Sequence, residues 1–246
     1  MELTLLYSWM RTFSDDRISP SKRELVGQLI NSILCKLKAL IQLDIGYLCL
    51  NRSIPTLSGG ERQRVRIAAQ LTCPLKGLIY ILDEPCKGLH YRDITKIVKA
   101  TQDLIRRGNT VIAIEHNKQY ISSSDCIVEL GPVGGPDGGY LIRQSSTPQN
   151  MGYQLVFKQT LEAQYYLEVN DINFRNIHGQ NARFPIGGIT CITGVSGSGK
   201  STLASVVARC VSMKSDNVYG TIQNRRNIRR VIQVNQAPIG KTPRST

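Results

Sequence analysis

Apolar residues recur along the chain in two registers. Four short continuous runs, Leu78-Ile79-Tyr80-Ile81-Leu82, Thr110-Val111-Ile112-Ala113-Ile114, Cys126-Ile127-Val128-Glu129-Leu130 and Gly188-Ile189-Thr190-Cys191-Ile192-Thr193, have strand length and are rich in β-branched residues. Such runs predict strands buried on both faces, as in a parallel sheet. Elsewhere apolar residues recur every three to four positions. Leu25, Leu29, Ile33, Leu37 and Leu40 carry one face from Ser19-Pro20 to about Leu43, with Ser21-Lys22-Arg23-Glu24 as a capping box. Val65, Ile67, Ala68, Ala69 and Leu71 mark a second helix. Ile94, Ile97, Val98, Leu104 and Ile105 mark a third, over Asp93 to Arg107, stopped by Gly108. Ser201 to Cys210 is a fourth. Tyr140-Leu141-Ile142 is a short returning strand. Tyr166–Val169 and Ile172–Phe174 are two more, and Val231–Asn235 is the last. The pattern predicts an α/β fold, a mixed or parallel sheet flanked by helices.

The chemistry sits where these runs end. The last of the four apolar runs enters Gly194-Val195-Ser196-Gly197-Ser198-Gly199-Lys200-Ser201, followed by Thr202. Glycines at this spacing let backbone N–H groups close on phosphate oxygens. The lysine reaches the outer phosphates, and the serine hydroxyl is placed for Mg²⁺. The helix that follows turns its N-terminus to the same point. Leu78–Leu82 ends in Asp83-Glu84-Pro85, two carboxylates beyond the carboxyl end of a strand. An Asp there can hold Mg²⁺ through water, and the adjacent Glu can orient or deprotonate an attacking water. Thr110–Ile114 ends in Glu115-His116, where an imidazole can meet a phosphate or the water. Ser58-Gly59-Gly60-Glu61 opens the Val65–Leu71 helix with an N-cap and glycine N–H groups, an arrangement suited to an anion. Gly131–Gly139 reads as a turn cluster and not as a phosphate loop.

Composition narrows the partners. The chain has 246 residues and a formal net charge of +13, and residues 170–246 hold 11 Lys and Arg against 2 Asp and Glu. That balance suits polyanions, nucleotide first and nucleic acid second, with Arg225 to Arg230 the densest basic segment. No apolar run reaches the roughly 18 residues of a membrane span. Met1-Glu2-Leu3-Thr4 lacks a basic leader, so no secretory signal is expected, and with the apolar pattern and the cysteine usage this predicts no membrane association and a cytoplasmic location. The seven cysteines show no C-x-x-C spacing, so no zinc site and no disulfide framework are indicated.

Taken together these residues resemble ABC-type ATPases of the P-loop NTPase class, and within them the UvrA-type damage-recognition subunits of bacterial excision repair. Leu57–Glu61 is similar to the ABC signature and Leu82–Pro85 to the Walker B end. Gly88-Leu89-His90 is similar to the D-loop, His116 to the switch histidine and Gln236 to the Q-loop glutamine. Asp44–Leu48, Gly88–Asp93, Gly108–Ile112, Thr193–Ser201 and Gln236–Ser245 resemble the UvrA type more narrowly. The order departs from that family, because signature, Walker B and switch histidine precede the P-loop and Q-loop. Arg62 and Cys86-Lys87 also depart from the pattern.

The resemblance implies residues 1–143 as the C-terminal part of a first ATPase module, 144–164 as a linker and 165–246 as the N-terminal part of a second. It implies ATP and Mg²⁺ as cofactors. Nucleotide contacts fall to Gly194–Ser201, Thr202 and the signature residues Ser58, Gly59 and Gly60. Metal contacts fall to Ser201, Asp83 and Gln236, and catalytic roles to Glu84, His116 and Gln236. Damaged double-stranded DNA, an excision-repair helicase subunit and a homodimer or head-to-tail association of modules are the implied partners. The implied function is a DNA-damage-recognition ATPase, truncated or divergent. A non-catalytic nucleotide-dependent interaction module and a UvrA-like antibiotic-resistance ATPase are the alternatives. Two arrangements stay open. In one, the P-loop faces Ser58–Gly60 while Asp83, Glu84 and His116 serve a site whose P-loop is missing. In the other, the chain is a single circularly permuted module in which Lys200, Asp83, Glu84, Gln236 and His116 surround one nucleotide.

Overall fold

The computed structural model describes residues 2–11, 20–72, 75–145, 165–212, 219–225 and 228–234. In chain order the helices are α1 (Leu3–Arg11), α2 (Pro20–Gln42), α3 (Gly59–Leu71), α4 (Tyr91–Arg106), α5 (Lys118–Ile121) and α6 (Lys200–Ser212). The strands are β1 (Leu78–Asp83), β2 (Thr110–Ile114), β3 (Cys126–Gly131), β4 (Tyr140–Ser145), β5 (Tyr166–Phe174), β6 (Ile177–Pro185), β7 (Ile189–Gly194), β8 (Thr221–Gln223) and β9 (Arg230–Val234). Two units result. One holds the described residues up to Thr72 together with Gly88–Lys96, and the other holds Leu75–Lys87 and the described residues from Ile97 on.

In the first unit, Leu3, Leu37, Ile45, Leu48 and Leu57 form a small core, with Leu40 and Val65 packed against it. The Leu3 N–H donates to the Leu48 carbonyl at 3.0 Å and ties α1 to the loop after α2. The stripe expected along α2 is covered only toward its C-terminal end. Leu37 is 3% exposed, whereas Leu29 is 65% and Ile33 42% exposed. The elements that bury Leu37 leave the earlier turns of α2 uncovered among the described residues. The expected Ser21–Glu24 capping box lies outside the described side chains.

The second unit is built on a six-stranded sheet in the order β4-β3-β7-β2-β1-β9. All pairs are parallel except β3 with β4. The continuous apolar runs occupy its middle, where Val111, Ile112, Ala113, Cys191 and Ile192 are fully buried. A strand reads as uninterrupted apolar sequence when both faces are covered. β7 lies between β2 and β3, with Ile114 beside Ile192 and Leu130 beside Gly194. One sheet therefore joins strands from both sides of residues 146–164, and β4 runs through Ser145, into the first residues expected as linker. A three-stranded antiparallel sheet, β6-β5-β8, shares one core with α6 and the large sheet through Leu167, Val169, Phe184, Leu203, Val206 and Val207.

One expectation needs correction here. Tyr166–Val169 and Ile172–Phe174 are one strand, β5, because Asp171 takes a positive φ of 52° and both halves pair with β6 across the irregularity. β6 itself carries no clean alternation. Polar residues occupy most of its centre, and only Ile177, Ala182, Phe184 and Pro185 are buried.

Candidate functional site

Gly194 to Gly199 form the loop between β7 and α6, with φ of 138° at Gly194, 76° at Gly197 and 99° at Gly199. A side chain at Gly194 would run into the Leu130 carbonyl of the neighbouring strand. Only glycine fits this approach. Lys200 folds back over the loop, its Nζ donating to the Gly194 carbonyl at 3.0 Å and the Val195 carbonyl at 2.7 Å. Burial lowers the Lys200 ammonium from the usual lysine range, and the negative charges of Glu84 and Asp83 act against that shift. Ser201 is exposed at the first turn of α6 and Thr202 is buried. The hydroxyl of Ser198 is buried without a hydrogen-bond partner among the described residues.

The Gly131–Gly139 segment is a turn, as expected, and it belongs to this site. Gly135 N–H donates to the Gly197 carbonyl at 3.1 Å, and Gly139 N–H to the Ser198 carbonyl at 3.1 Å. Asn176, in the turn between β5 and β6, donates its Nδ2 to the same Gly197 carbonyl at 3.1 Å. None of these residues announces itself in the sequence. A cluster of glycines and prolines such as Gly131–Gly139 signals a turn, but not what the turn touches.

Asp83 and Ser201 line one cleft of about 140 Å³, together with Ser205 and Gln233. Gln233 reaches it because β9 pairs with β1 in parallel, Gln233 beside Ile81. Burial raises the Asp83 carboxyl above the usual aspartate range, aided by Glu84 and Glu115 and opposed by Lys87 and Lys200. Glu84 sits in the left-handed region at φ 46°, its N–H on the Ile114 carbonyl at 3.0 Å. Its Oε2 accepts from Lys87 Nζ at 2.7 Å. Positive φ at a non-glycine residue costs on the order of 1 kcal/mol or more and is held by its surroundings. The turn after β1 is fixed by Glu115, a buried carboxylate accepting the N–H groups of Cys86 at 2.7 Å, His116 at 2.9 Å and Asn117 at 3.0 Å. His116 is exposed just past β2, and no described contact joins its ring to Lys200 or Asp83. Gln236 lies outside the described residues. The basic segment Arg225 to Arg230 is described except for Arg226 and Asn227.

The donor set fits a phosphate and a hard divalent cation. One hydroxyl and one carboxylate share a cleft, the glycine loop and Lys200 directly precede Ser201 in the chain, and oxygen donors are what Mg²⁺ takes.

The signature residues lie in the first unit. Ser58 caps α3: its hydroxyl accepts from Glu61 N–H at 3.2 Å, and its own N–H donates to Glu61 Oε2 at 2.6 Å. Tyr47 donates its hydroxyl to Glu61 Oε1 at 2.7 Å, and Arg52 lies 3.6 Å from the same oxygen. The Tyr47 hydroxyl, then the Ser58 N–H, hold the Glu61 carboxyl below the usual glutamate range. Arg62, one of the departures from the family pattern, donates to the Leu57 carbonyl. A side chain added at Gly59 would meet open space. No steric demand within the described residues requires glycine there.

No family model matches the chain. It is similar to UvrABC system protein A of Clostridium acetobutylicum, 37% identical over 95% of this chain and 27% of the relative. The same protein of Aquifex aeolicus is 36% identical over 94% of this chain and 27% of its own. The chain thus spans about a quarter of the length of these curated relatives. The crystal structure of UvrA2 from Deinococcus radiodurans aligns with all of this chain and 33% of its own, at 32% identity and a TM-score of 0.54.

Proposed function

We propose that the chain binds ATP with Mg²⁺ at Gly194–Thr202 and hydrolyses it within one circularly permuted module. The observation that carries this reading is the shared cleft of Asp83 and Ser201. The Ser201 hydroxyl and the Asp83 carboxylate would hold the cation, whose charge polarises the outer phosphate when bound. Lys200 would leave the Gly194 and Val195 carbonyls for the phosphate oxygens. Glu84, already within electrostatic reach of Lys200, would align a water and take its proton. His116 and Gln236 would complete the polar wall around that water. Ser58, Gly59 and Gly60 would close over the nucleotide of a second copy in a head-to-tail homodimer. By similarity to the UvrABC system protein A relatives, the ATPase would act in recognising damaged double-stranded DNA alongside a helicase subunit, with basic residues such as Arg225, Arg229 and Arg230 on the DNA backbone.

One observation favours a second reading, a nucleotide-dependent interaction module without turnover: Glu84 is paired to Lys87 at 2.7 Å, and Lys87 is a departure from the family pattern. Three variants separate the two. Lys200→Ala removes charge-assisted bonds to phosphate and is expected to weaken binding of a fluorescent ATP analogue by about 10-fold or more. Glu84→Gln is expected to keep that binding and abolish phosphate release. Lys87→Ala is expected to raise the turnover of the wild type if the pair restrains Glu84. If the wild type binds ATP and releases no phosphate with or without Lys87, the interaction module is the correct reading. If the wild type does not bind ATP, both readings fall.

A further inference from the structure

Two segments far apart in the chain meet beneath the phosphate loop. The Gly197 carbonyl accepts two bonds, from Gly135 N–H at 3.1 Å and from Asn176 Nδ2 at 3.1 Å. Asn176 Nδ2 also reaches the Gly135 carbonyl at 3.4 Å, so one amide group bridges the loop and the turn. The Ser198 carbonyl accepts from Gly139 N–H. The approach is too close for side chains. One at Gly134 would strike the Ser196 carbonyl, and one at Gly139 would strike the Asn176 carbonyl.

We propose that Asn176 and the Gly134–Gly139 turn form a floor that sets the direction of the phosphate-binding amides, with Asn176 as a positioning residue for nucleotide. In a trans peptide the N–H points opposite to the C=O. Pinning the Ser198 carbonyl onto Gly139 therefore turns the Gly199 N–H away from the turn. Without the floor, the Gly197 and Ser198 peptide planes are free to rotate through the glycines that flank them. A carbonyl facing the site repels phosphate where an N–H would bind it. Asn176 is suited to the task because its amide brings N–H donors to two carbonyls and carries no charge.

The proposal rests on the phosphate-binding reading, and its test has an arm that does not depend on nucleotide. Hydrogen exchange of the nucleotide-free protein is compared for wild type, Asn176→Ala, Asn176→Asp and Gly134→Ala. Exchange in a peptide spanning Val195–Gly199 is expected to quicken about tenfold in Asn176→Ala, with the β1 and β2 peptides unchanged. Asn176→Asp keeps the shape but sets a carboxylate against two carbonyls, so it is expected to loosen the loop further. A floor acting only by filling space predicts the reverse order. Titration with a fluorescent ATP analogue is expected to show about tenfold weaker binding for Asn176→Ala. Adenosine, which lacks phosphates, serves as the control and is expected to be unaffected. Unchanged exchange in both Asn176 variants overturns the proposal. Quickened exchange in a wild-type background that binds no ATP keeps the floor and overturns the ATP reading instead. Gly134→Ala presses on the loop from the turn side, so a normal loop in that variant also counts against the floor.

Discussion

At the scale of single residues, carboxylates play three different parts set by what surrounds them. Glu115 is buried and spent on three backbone N–H groups, Asp83 faces the cleft, and Glu61 closes a helix cap. The cap can be tested by itself. Ser58→Ala removes the acceptor for Glu61 N–H and is expected to cost about 1 kcal/mol in urea denaturation of the whole chain. Glu61 also sets a pH dependence. Its folded carboxyl is held below the ordinary value of 4.5, so the unfolded chain binds the proton more readily. The stability it contributes is complete above that ordinary value and is lost as pH falls through the lower, folded value. Denaturation between pH 6 and roughly pH 3 is expected to show a steeper acid loss in wild type than in Glu61→Gln. Equal slopes would mean that Tyr47 and Ser58 do not hold the charge. Sequence reading found Ser58 as a cap and missed Glu61 as its partner, although the S-x-x-E spacing was there to see. It also passed over Glu115 and Asn176. A buried Glu after a strand and an Asn in a turn carry no signature until their partners are known.

Among the elements, legibility followed burial. β1, β2, β3 and β7 stand close to where continuous apolar runs predict them, because a strand covered on both faces has little choice of residue. β6 escaped notice because only Ile177, Ala182, Phe184 and Pro185 face the core. β5 was split in two by Asp171, whose left-handed backbone shifts the register while the strand goes on. That irregularity yields a prediction. Asp171→Gly relieves the positive φ and is expected to leave stability within about 1 kcal/mol of wild type. Asp171→Val, β-branched and unsuited to that region, is expected to destabilise by more. Parallel denaturation curves at equal m-value would check both. On α2 the apolar stripe promised more packing than it received. Periodicity shows which residues share a face, but not how far along the helix a neighbour extends.

Over the whole molecule, one sheet draws its strands from both sides of residues 146–164. β7 follows residues 146–164 in the chain and lies between β2 and β3, which precede them. Residues 1–145 alone would leave β2 and β3 without the strand that separates them. Expressed separately, 1–145 and 165–246 are each expected to lack cooperative unfolding. Mixed or co-expressed, they are expected to regain it along with binding of the ATP analogue. Two halves that fold independently and bind nothing when mixed would contradict the shared sheet. All strands but β6 and β8 could be read from the sequence, but not the strand order, because the sequence shows which runs are buried and not which runs are neighbours.

The position of β7 also bears on how the chain is made. A ribosome releases Asp83 and Glu84, the His116 strand end and the Gly131–Gly139 turn long before the glycine loop that rests on that turn. Until about residue 194 has emerged, the nascent sheet has a slot and nothing to fill it. A product that stops short of that point carries Asp83 and Glu84 but has no glycine loop to place beside them. Filling the slot between β2 and β3 and presenting the glycine loop are then one event, and β9 closes the far edge of the sheet only after both.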